Sequence, residues 1–516
     1  MAKKKATAKK KATGRRRRRT VRTKRTTRRG AATALPKVRV RMFRQGLGDC
    51  LLVTFDAGGD ERHLLIDCGT LGNKAGSIKI KDIAEHLESL LGEDGKLDAL
   101  VATHEHQDHL SGFRSQLKPV LKDRVEHVWL AWTENPGDPD AQELQKHQGD
   151  LVSALTNVVR LAHGSPVGER VAGLLGFAGE TVLGSFAKTV DEAMKWIRDE
   201  SGGKVRYLEP GELIQEDWLP GFRIYVLGPP RDQDAIKEAG SHASDELYHV
   251  GARLGRSAAW HLSAESSAGT NSCWSDDEQS EMPFDERFWQ SGEELLATQY
   301  PDYVRPEDAW RRVEHEWLNV ASDLALQLDN FTNNTSLVLA IERIADGKVL
   351  LFPADAQQGN WLSWHDEDLD WFVVNGAGEP VTMTAADLLK NTVFYKVGHH
   401  GSHNATAKGK GLELMTRTDE LVAFIPVDRE IALGRSPKGT WRMPARALYR
   451  RLLEQCEGRV VRADLGWAAP AAKGDEIEEE LFNLADASKW QQWAQAQDQA
   501  TNVDLSNPLY VEYVLE

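Results

Sequence analysis

What this chain lacks narrows it first. Among 516 residues there are four cysteines, Cys50, Cys68, Cys273 and Cys456, widely scattered and without a CxxC pair. Neither a disulfide framework nor a zinc knuckle can be built from that spacing, so the thiols read as reduced ones in a cytoplasmic protein. Cys50 and Cys68 fall in strand-like runs, where core packing is their expected role. No apolar run approaches the roughly twenty residues that cross a bilayer, so no membrane insertion is expected. No apolar segment follows the positively charged start, so no secretory signal is expected either. No repeat recurs at a fixed period. The first 30 residues hold no acid at all.

What they do hold is 16 Lys and Arg, including the run Arg15, Arg16, Arg17, Arg18 and Arg19. The other residues carry 48 of the 64 basic side chains against all 78 acidic ones, a balance of −30 that the net charge of −14 conceals. A cationic tail on an anionic body speaks to partners rather than to fold. Residues 1–36 are expected to form a disordered basic tail, because so little apolar surface cannot offset the entropy of ordering it. Sixteen cations could neutralise many phosphates and bind nucleic acid or another polyanion without sequence preference. No aromatic side chain interleaves with them, so base stacking is not expected. The plainer reading is a solvated tail that aids solubility.

From Lys37 the pattern becomes that of a folded domain. Val38 to Met42 alternates like a half-buried strand, and Cys50–Phe55 with His63–Asp67 reads as a hairpin. A helix is expected around Ile83 to Leu91, then a buried strand from Leu97 to Ala102 and another from Val125 to Trp132. Residues 140–200 read as mainly helical. Strand character returns at Val205–Ile214 and Phe222–Leu227, and residues 231–330 read as an insertion closed by a helix from about Pro306 to Leu328. Strands resume at Ser336–Ile341, Val349–Phe352, Thr392–Val397 and Leu421–Pro426. The expected division is a catalytic domain over 37–474, with insertions at about 140–200 and 231–330. A C-terminal extension over 475–516 would hold an acidic helix and a strand at Leu509–Val514. Strands interleaved with helices over this length indicate an α/β sandwich with helices on the outer faces.

Chemistry concentrates in Thr103-His104-Glu105-His106-Gln107-Asp108-His109, three imidazoles and a carboxylate within six residues after a strand. His104 and His106, two apart on a loop, can face one side, and Asp108 and His109 can turn toward a second ion. Imidazole suits zinc and related ions, and a carboxylate can bind or bridge an adjacent one. A polar loop of satisfied surface histidines would explain one such residue but not four ligand types at this spacing.

These residues resemble the HxHxDH motif of the metallo-β-lactamase superfamily and, more finely, the hydrolase domain of bacterial competence-channel (ComEC-type) proteins. The likeness runs over about residues 37–470. Gln45-Gly46-Leu47-Gly48-Asp49 is similar to that family's glycine-rich first turn, and Leu65-Ile66-Asp67-Cys68-Gly69 to its first-motif Asp. Asn333-Asn334-Thr335-Ser336 leads into paired strands ending at Pro353-Ala354-Asp355. Tyr395-Lys396-Val397-Gly398-His399-His400-Gly401-Ser402 is similar to its HHGS motif, and Pro444 with Arg459–Asp464 to its closing segment.

The resemblance implies a metallo-β-lactamase αββα sandwich with helical insertions and a centre of two divalent metal ions, zinc or manganese. His104 and His106 would bind the first; Asp108, His109 and His399 the second; Asp355 would bridge them, unless it is only a turn residue after Pro353. Sequence does not separate His399 from His400, and the expectation falls on His399, the first after the strand. Asp67 would orient the histidine loop, with Asn333 and Asn334 behind the ligands. Many superfamily members place a third His just before the Ser336 strand, where this chain has Asp329–Asn334 and no His. That weakens the first metal position and favours manganese or a single ion. His127, His163 and His315 are available replacements, each more plainly a surface or core histidine.

In such a centre a metal-bridging hydroxide attacks phosphorus or an acyl carbon, with Asp108 orienting it and His400 or His403 supplying the leaving group's proton. Ser402, His403 and Asn404 are candidate substrate contacts. The expected activity is that of a phosphodiesterase or nuclease. A hydrolase of small esters, thioesters or lactones is the alternative, and a non-catalytic nucleic-acid or partner-binding protein is the third reading. Neither substrate nor oligomeric state follows from the sequence.

Overall fold

The computed structural model describes residues 35–56, 59–72, 78–161, 171–172, 174–175, 189–237, 316–366, 369–435, 443–468 and 487–516. The basic tail, most of the 231–330 insertion and the acidic stretch from Asp475 lie outside them.

Two eight-stranded sheets carry the fold. The first contains β1 (Val38–Phe43), β2 (Leu51–Asp56), β3 (Glu61–Ile66), β4 (Leu97–Ala102), β5 (Val125–Ala131) and β6 (Lys204–Leu208), with β17 (Val503–Asp504) and β18 (Tyr510–Leu515) added beside β1. The second contains β7 (Leu213–Ile214), β8 (Phe222–Gly228), β9 (Val338–Arg343), β10 (Lys348–Phe352), β13 (Thr392–Lys396), β14 (Val422–Ile425), β15 (Val460–Arg462) and β16 (Gly466–Trp467). A separate ribbon pairs β11 (Trp371–Val374) with β12 (Pro380–Met383).

The strand sequences explain the layers. Along β9 and the residue before it, Leu337, Leu339 and Ile341 enter the core shared with β1–β4, whereas Val338 and Ala340 enter the core on the other face. β4 does the same, with Ala99 and Val101 turned inward and Leu100 and Ala102 turned outward. A strand apolar on both faces must be covered on both. The helix Ile80–Leu91 covers one outer face through Ile83, Leu87 and Leu91. On the other, Trp361, Leu388, Leu448 and Leu452 do so from three further helices. The result is the expected four-layer αββα sandwich. Each such leucine or isoleucine contributes about 1.5–3 kcal/mol by leaving water.

One departure from the sequence reading stands out. The expected strand over Val205–Ile214 is two strands in different sheets, β6 and β7, because Pro210 and Gly211, the latter at φ +88°, turn the chain between them. The C-terminal segment contributes β18, which pairs antiparallel with β1 from Val38↔Leu515 to Phe43↔Tyr510. Pro36–Glu516 accordingly form one compact unit. Buried Arg343 adds a clasp, donating to the backbone oxygens of Pro36, Leu515 and Glu516. Among the described residues no helix is long and apolar enough to cross a membrane.

Candidate metal centre

Four strand ends deliver the candidate residues. β3 runs into Asp67, β4 into the loop from His104 to His109, β10 into Asp355, and β13 into His399 and His400. At three of these ends the backbone turns sharply: Asp67, Ala354, His399 and His400 have φ of 53°, 50°, 41° and 51°. Left-handed backbone at a non-glycine residue costs on the order of 1–3 kcal/mol and persists only where its surroundings impose it. Glycines admit the close approach of the histidine loop. A Cβ at Gly69 would stand 2.3 Å from the Asp108 carbonyl carbon, and one at Gly48 would stand 2.6 Å from the Asp108 oxygen.

Asp108, His109, Asp355 and His400 converge, all buried, with ligand atoms within 4.8 Å of one another. His109 Nε2 lies 3.1 Å from Asp355 Oδ2 and 3.7 Å from Asp108 Oδ2, and His400 Nε2 lies 2.7 Å from Asp108 Oδ2. Asp108 Oδ1, Asp355 Oδ2 and His109 Nε2 have no hydrogen-bond partner. His109 Nε2 and Asp355 Oδ2 face each other as an ion pair, while Asp108 Oδ1 is buried and unmatched at a cost of about 1–3 kcal/mol or more, so this donor set fits a divalent cation.

The surroundings fix which atoms point inward. Asp67 accepts from Thr103 N at 2.9 Å, from Thr103 Oγ1 at 2.7 Å and from His109 Nδ1 at 2.8 Å, so His109 presents Nε2 to the centre. His400 Nδ1 donates to Pro426 O at 2.7 Å, which turns its Nε2 inward likewise. Burial alone would pull both imidazoles down. At His109, Asp355 and Asp49 outweigh it and hold the group well above its ordinary value; at His400, Asp108 and Asp355 hold it up. The carboxylates answer in kind. Burial would raise Asp108 and Asp355, but His109 with His400 holds the first down, and His109 with Lys396 holds the second well down.

His104 and His106 form a second pair. His104 Nδ1 sits 3.1 Å from Thr103 Oγ1 and 3.3 Å from Ser336 Oγ, and its Nε2 meets His106 Nδ1 at 3.0 Å. The His104 ring lies 4.2 Å from that of His109, centroid to centroid, so the pair adjoins the four-ligand group without joining it. Burial lowers both, His106 to about 4.

His399 departs from the expectation. Its backbone N–H donates to Asp355 Oδ1 at 2.9 Å, while its ring faces Ser402 Oγ at 3.0 Å and Gln357 Nε2 at 3.3 Å. His400 takes the place beside Asp108 because two successive left-handed residues swing the second ring inward. Burial lowers His399 to about 4.

The remaining candidates lie around this centre. Asn334 Oδ1 accepts from the backbone of Gln357 and Asn360 and so pins the turn after Asp355. Asn333 Nδ2 donates to Asp329 Oδ2 at 3.1 Å, one turn back on the helix Glu316–Asn334. Ser402 Oγ donates to Asn404 Oδ1 at 2.5 Å, Asn404 Nδ2 donates to Asn330 Oδ1 at 3.1 Å, and His403 is exposed. His127 lies apart, bonded to Asp98 O and stacked on Trp218. His163, His315 and the basic tail lie outside the described residues.

Three charged residues escaped the sequence reading. Asp49 and Lys396 form an ion pair at 1 % side-chain exposure each, behind His109 and Asp355. Asp329 is buried, and desolvation together with Asp108 and Asp355 pushes its carboxyl up to about 8. For Lys396 a signal existed, a cation inside the apolar run Val393–Val397.

Residues 44–200 match the model of the metallo-beta-lactamase superfamily. That segment holds Asp49, Asp67 and the His104–His109 loop, whereas Asp355 and His400 lie beyond it. No curated protein matches the chain.

Proposed function

We propose that this protein is a metal-dependent hydrolase that cleaves phosphodiesters, with nucleic acid as its substrate class. The observation that carries the reading is the convergence of Asp108, His109, Asp355 and His400, four buried side chains whose ligand atoms lie within 4.8 Å of one another. Asp108, His109, Asp355 and His400 would hold one divalent ion, and His104 with His106 would offer the adjoining position. Lacking a third histidine, that second position suits manganese at least as well as zinc. Bound there, a divalent ion supplies Lewis acidity, which lowers the pKa of water and neutralises charge developing on the attacked phosphoryl group.

The protein's own groups do the rest. Asp67 and Thr103 fix the ring of His109, and Pro426 O fixes that of His400, so the ligands need no reorganisation. Asp108 sits where it can orient the attacking water. With the His400 ring committed on both nitrogens, His403, exposed on the same loop, is the group left to give a proton to the leaving oxygen. Ser402, Asn404 and Asn330 form a chain of amide and hydroxyl groups that can accept a substrate's polar edges.

The finer likeness to competence-channel hydrolases and the cationic tail both favour nucleic acid over a small ester. The tail, Arg15 to Arg19 included, would raise local substrate concentration without reading sequence. A reducing, cytoplasmic setting suits the free, buried thiols of Cys50, Cys68 and Cys456.

Hydrolysis of bis-p-nitrophenyl phosphate, measured beside a panel of thioesters and lactones with zinc or manganese added, tests the reading. Diester cleavage that disappears in Asp108→Ala, while the circular dichroism spectrum stays unchanged, is the expected result. Turnover of esters alone would sink the phosphodiesterase assignment.

A further inference from the structure

Behind the four-ligand group lies an ammonium sealed from water. Lys396 has a side-chain exposure of 1 %, and three oxygens from two separate chain segments, the turn at Asp49 and the turn Ala354–Asp355, surround its Nζ. It pairs with Asp49 Oδ2, lies 3.2 Å from Asp355 Oδ1 and donates to Ala354 O at 2.8 Å. Two carboxylates and a backbone carbonyl are the donor set that hard cations select.

The geometry divides Asp355 between two cations. Its Oδ1 takes Lys396 and the His399 N–H, and its Oδ2 turns to His109 Nε2 at 3.1 Å and to the ion position. Asp49 is also not used up by the lysine, since its Oδ1 has no hydrogen-bond partner and it gathers with Asp67 and His109 as a second group of ligand spacing. An ordinary buried ion pair matches one cation to one anion. Here the three N–H donors of one ammonium meet three oxygens drawn from two carboxylates and a carbonyl, Asp49 Oδ1 remains spare, and the Asp355 carboxylate is shared with the group beside it.

We propose that Lys396 is a resident cation, its ammonium filling an oxygen-lined second cation position between Asp49 and Asp355. The centre thereby carries part of its positive charge covalently, in a form that chelators cannot strip. A tethered charge also holds Asp355 with a single oxygen, Oδ2, toward the exchangeable ion. The inference rests on the metal-dependent reading only for that neighbouring ion; the cage is defined by the lysine itself.

Shortening the side chain while keeping the oxygens should turn the cage into a site for a free cation. Calorimetric titration of the full chain with Mn2+ is the test. Lys396→Ala should take up one more Mn2+ per chain than the unaltered protein, and adding Asp49→Asn should return the count to the unaltered value. An equal count in Lys396→Ala and the unaltered protein overturns the proposal. Should Lys396→Ala fail to fold alone, recovery of its circular dichroism spectrum by propylammonium and not by propanol supports the resident cation. Recovery by neither overturns it. An unaltered protein that binds neither Mn2+ nor Zn2+ would defeat the hydrolase reading instead, leaving the lysine to be judged by one ion in the variant against none.

Discussion

At the scale of single residues, the centre is a set of directions as much as a set of ligands. Both carboxylate oxygens of Asp67 are engaged, Oδ1 by Thr103 N and Oδ2 by Thr103 Oγ1 and the Nδ1 of His109, so it acts by holding the histidine loop. Asp67→Asn should therefore weaken Mn2+ or Zn2+ binding by about ten- to a hundredfold, read by competition with a chelating dye, while the melting midpoint moves little. His400→Ala should abolish tight binding, and His399→Ala should leave the same titration in place. Loss in the second variant alone would reverse the assignment of the two histidines.

Protons compete for the same atoms, and their effect on stability has a sign. His109 and His400 lie above the ordinary histidine value of 6.5 in the folded protein, so their stabilisation is complete below 6.5 and is lost as pH rises through the folded values. Asp108 and Asp355 lie below 3.8, so theirs is present above 3.8 and is lost as pH falls through the folded values. In chelator, His109 and His400 should make the melting midpoint fall as pH rises above about 6.5, and Asp108 and Asp355 should make it fall as pH drops below about 4. A divalent ion should erase the alkaline fall, because it replaces the two imidazolium charges. A chelated midpoint that climbs between about pH 7 and 9 would contradict this.

Elements carry the next level. The histidine loop lies close over the first turn because Gly48 and Gly69 present no side chain to the backbone of Asp108. Gly69→Ala should destabilise the protein by about 1–3 kcal/mol, as overpacking against rigid backbone does, and weaken metal binding with it. A midpoint within a degree of the unaltered protein would show that the loop can retreat. Most strands were legible in the sequence because they are apolar on alternate positions or throughout, as Leu97–Ala102 and Ser336–Ile341 are. The separation of β6 from β7 was not, since alternation cannot say which sheet a strand joins. The short β15 and β16 carry too few residues for a period. Asp108 and His109 were legible from residue type and spacing, and Asp355 through the family resemblance. The inward turn of His400 was not, because it depends on left-handed backbone at two successive residues, which no side-chain pattern encodes. Asp49 was hidden for a related reason: it lies in a turn whose glycines draw attention to the backbone.

For the whole molecule, charge separation is the main feature the sequence alone supplies. A tail of +16 against a remainder of −30 should bind polyanions weakly and with steep salt dependence. Deleting residues 1–34 should lower affinity for single-stranded DNA and flatten its decline with salt, measured by fluorescence anisotropy, while turnover of a small diester stays the same. Unchanged DNA binding would remove the tail from the function. The pairing of β1 with β18 has a consequence of another kind, for synthesis. Of the two neighbours β1 has in its sheet, one is made at once, and the other only when residues 510–515 have left the ribosome. Asp108 likewise waits almost three hundred residues for His400. A nascent chain therefore cannot complete this sheet before residues 510–515 are made, nor gather the four candidate ligands before His400 is.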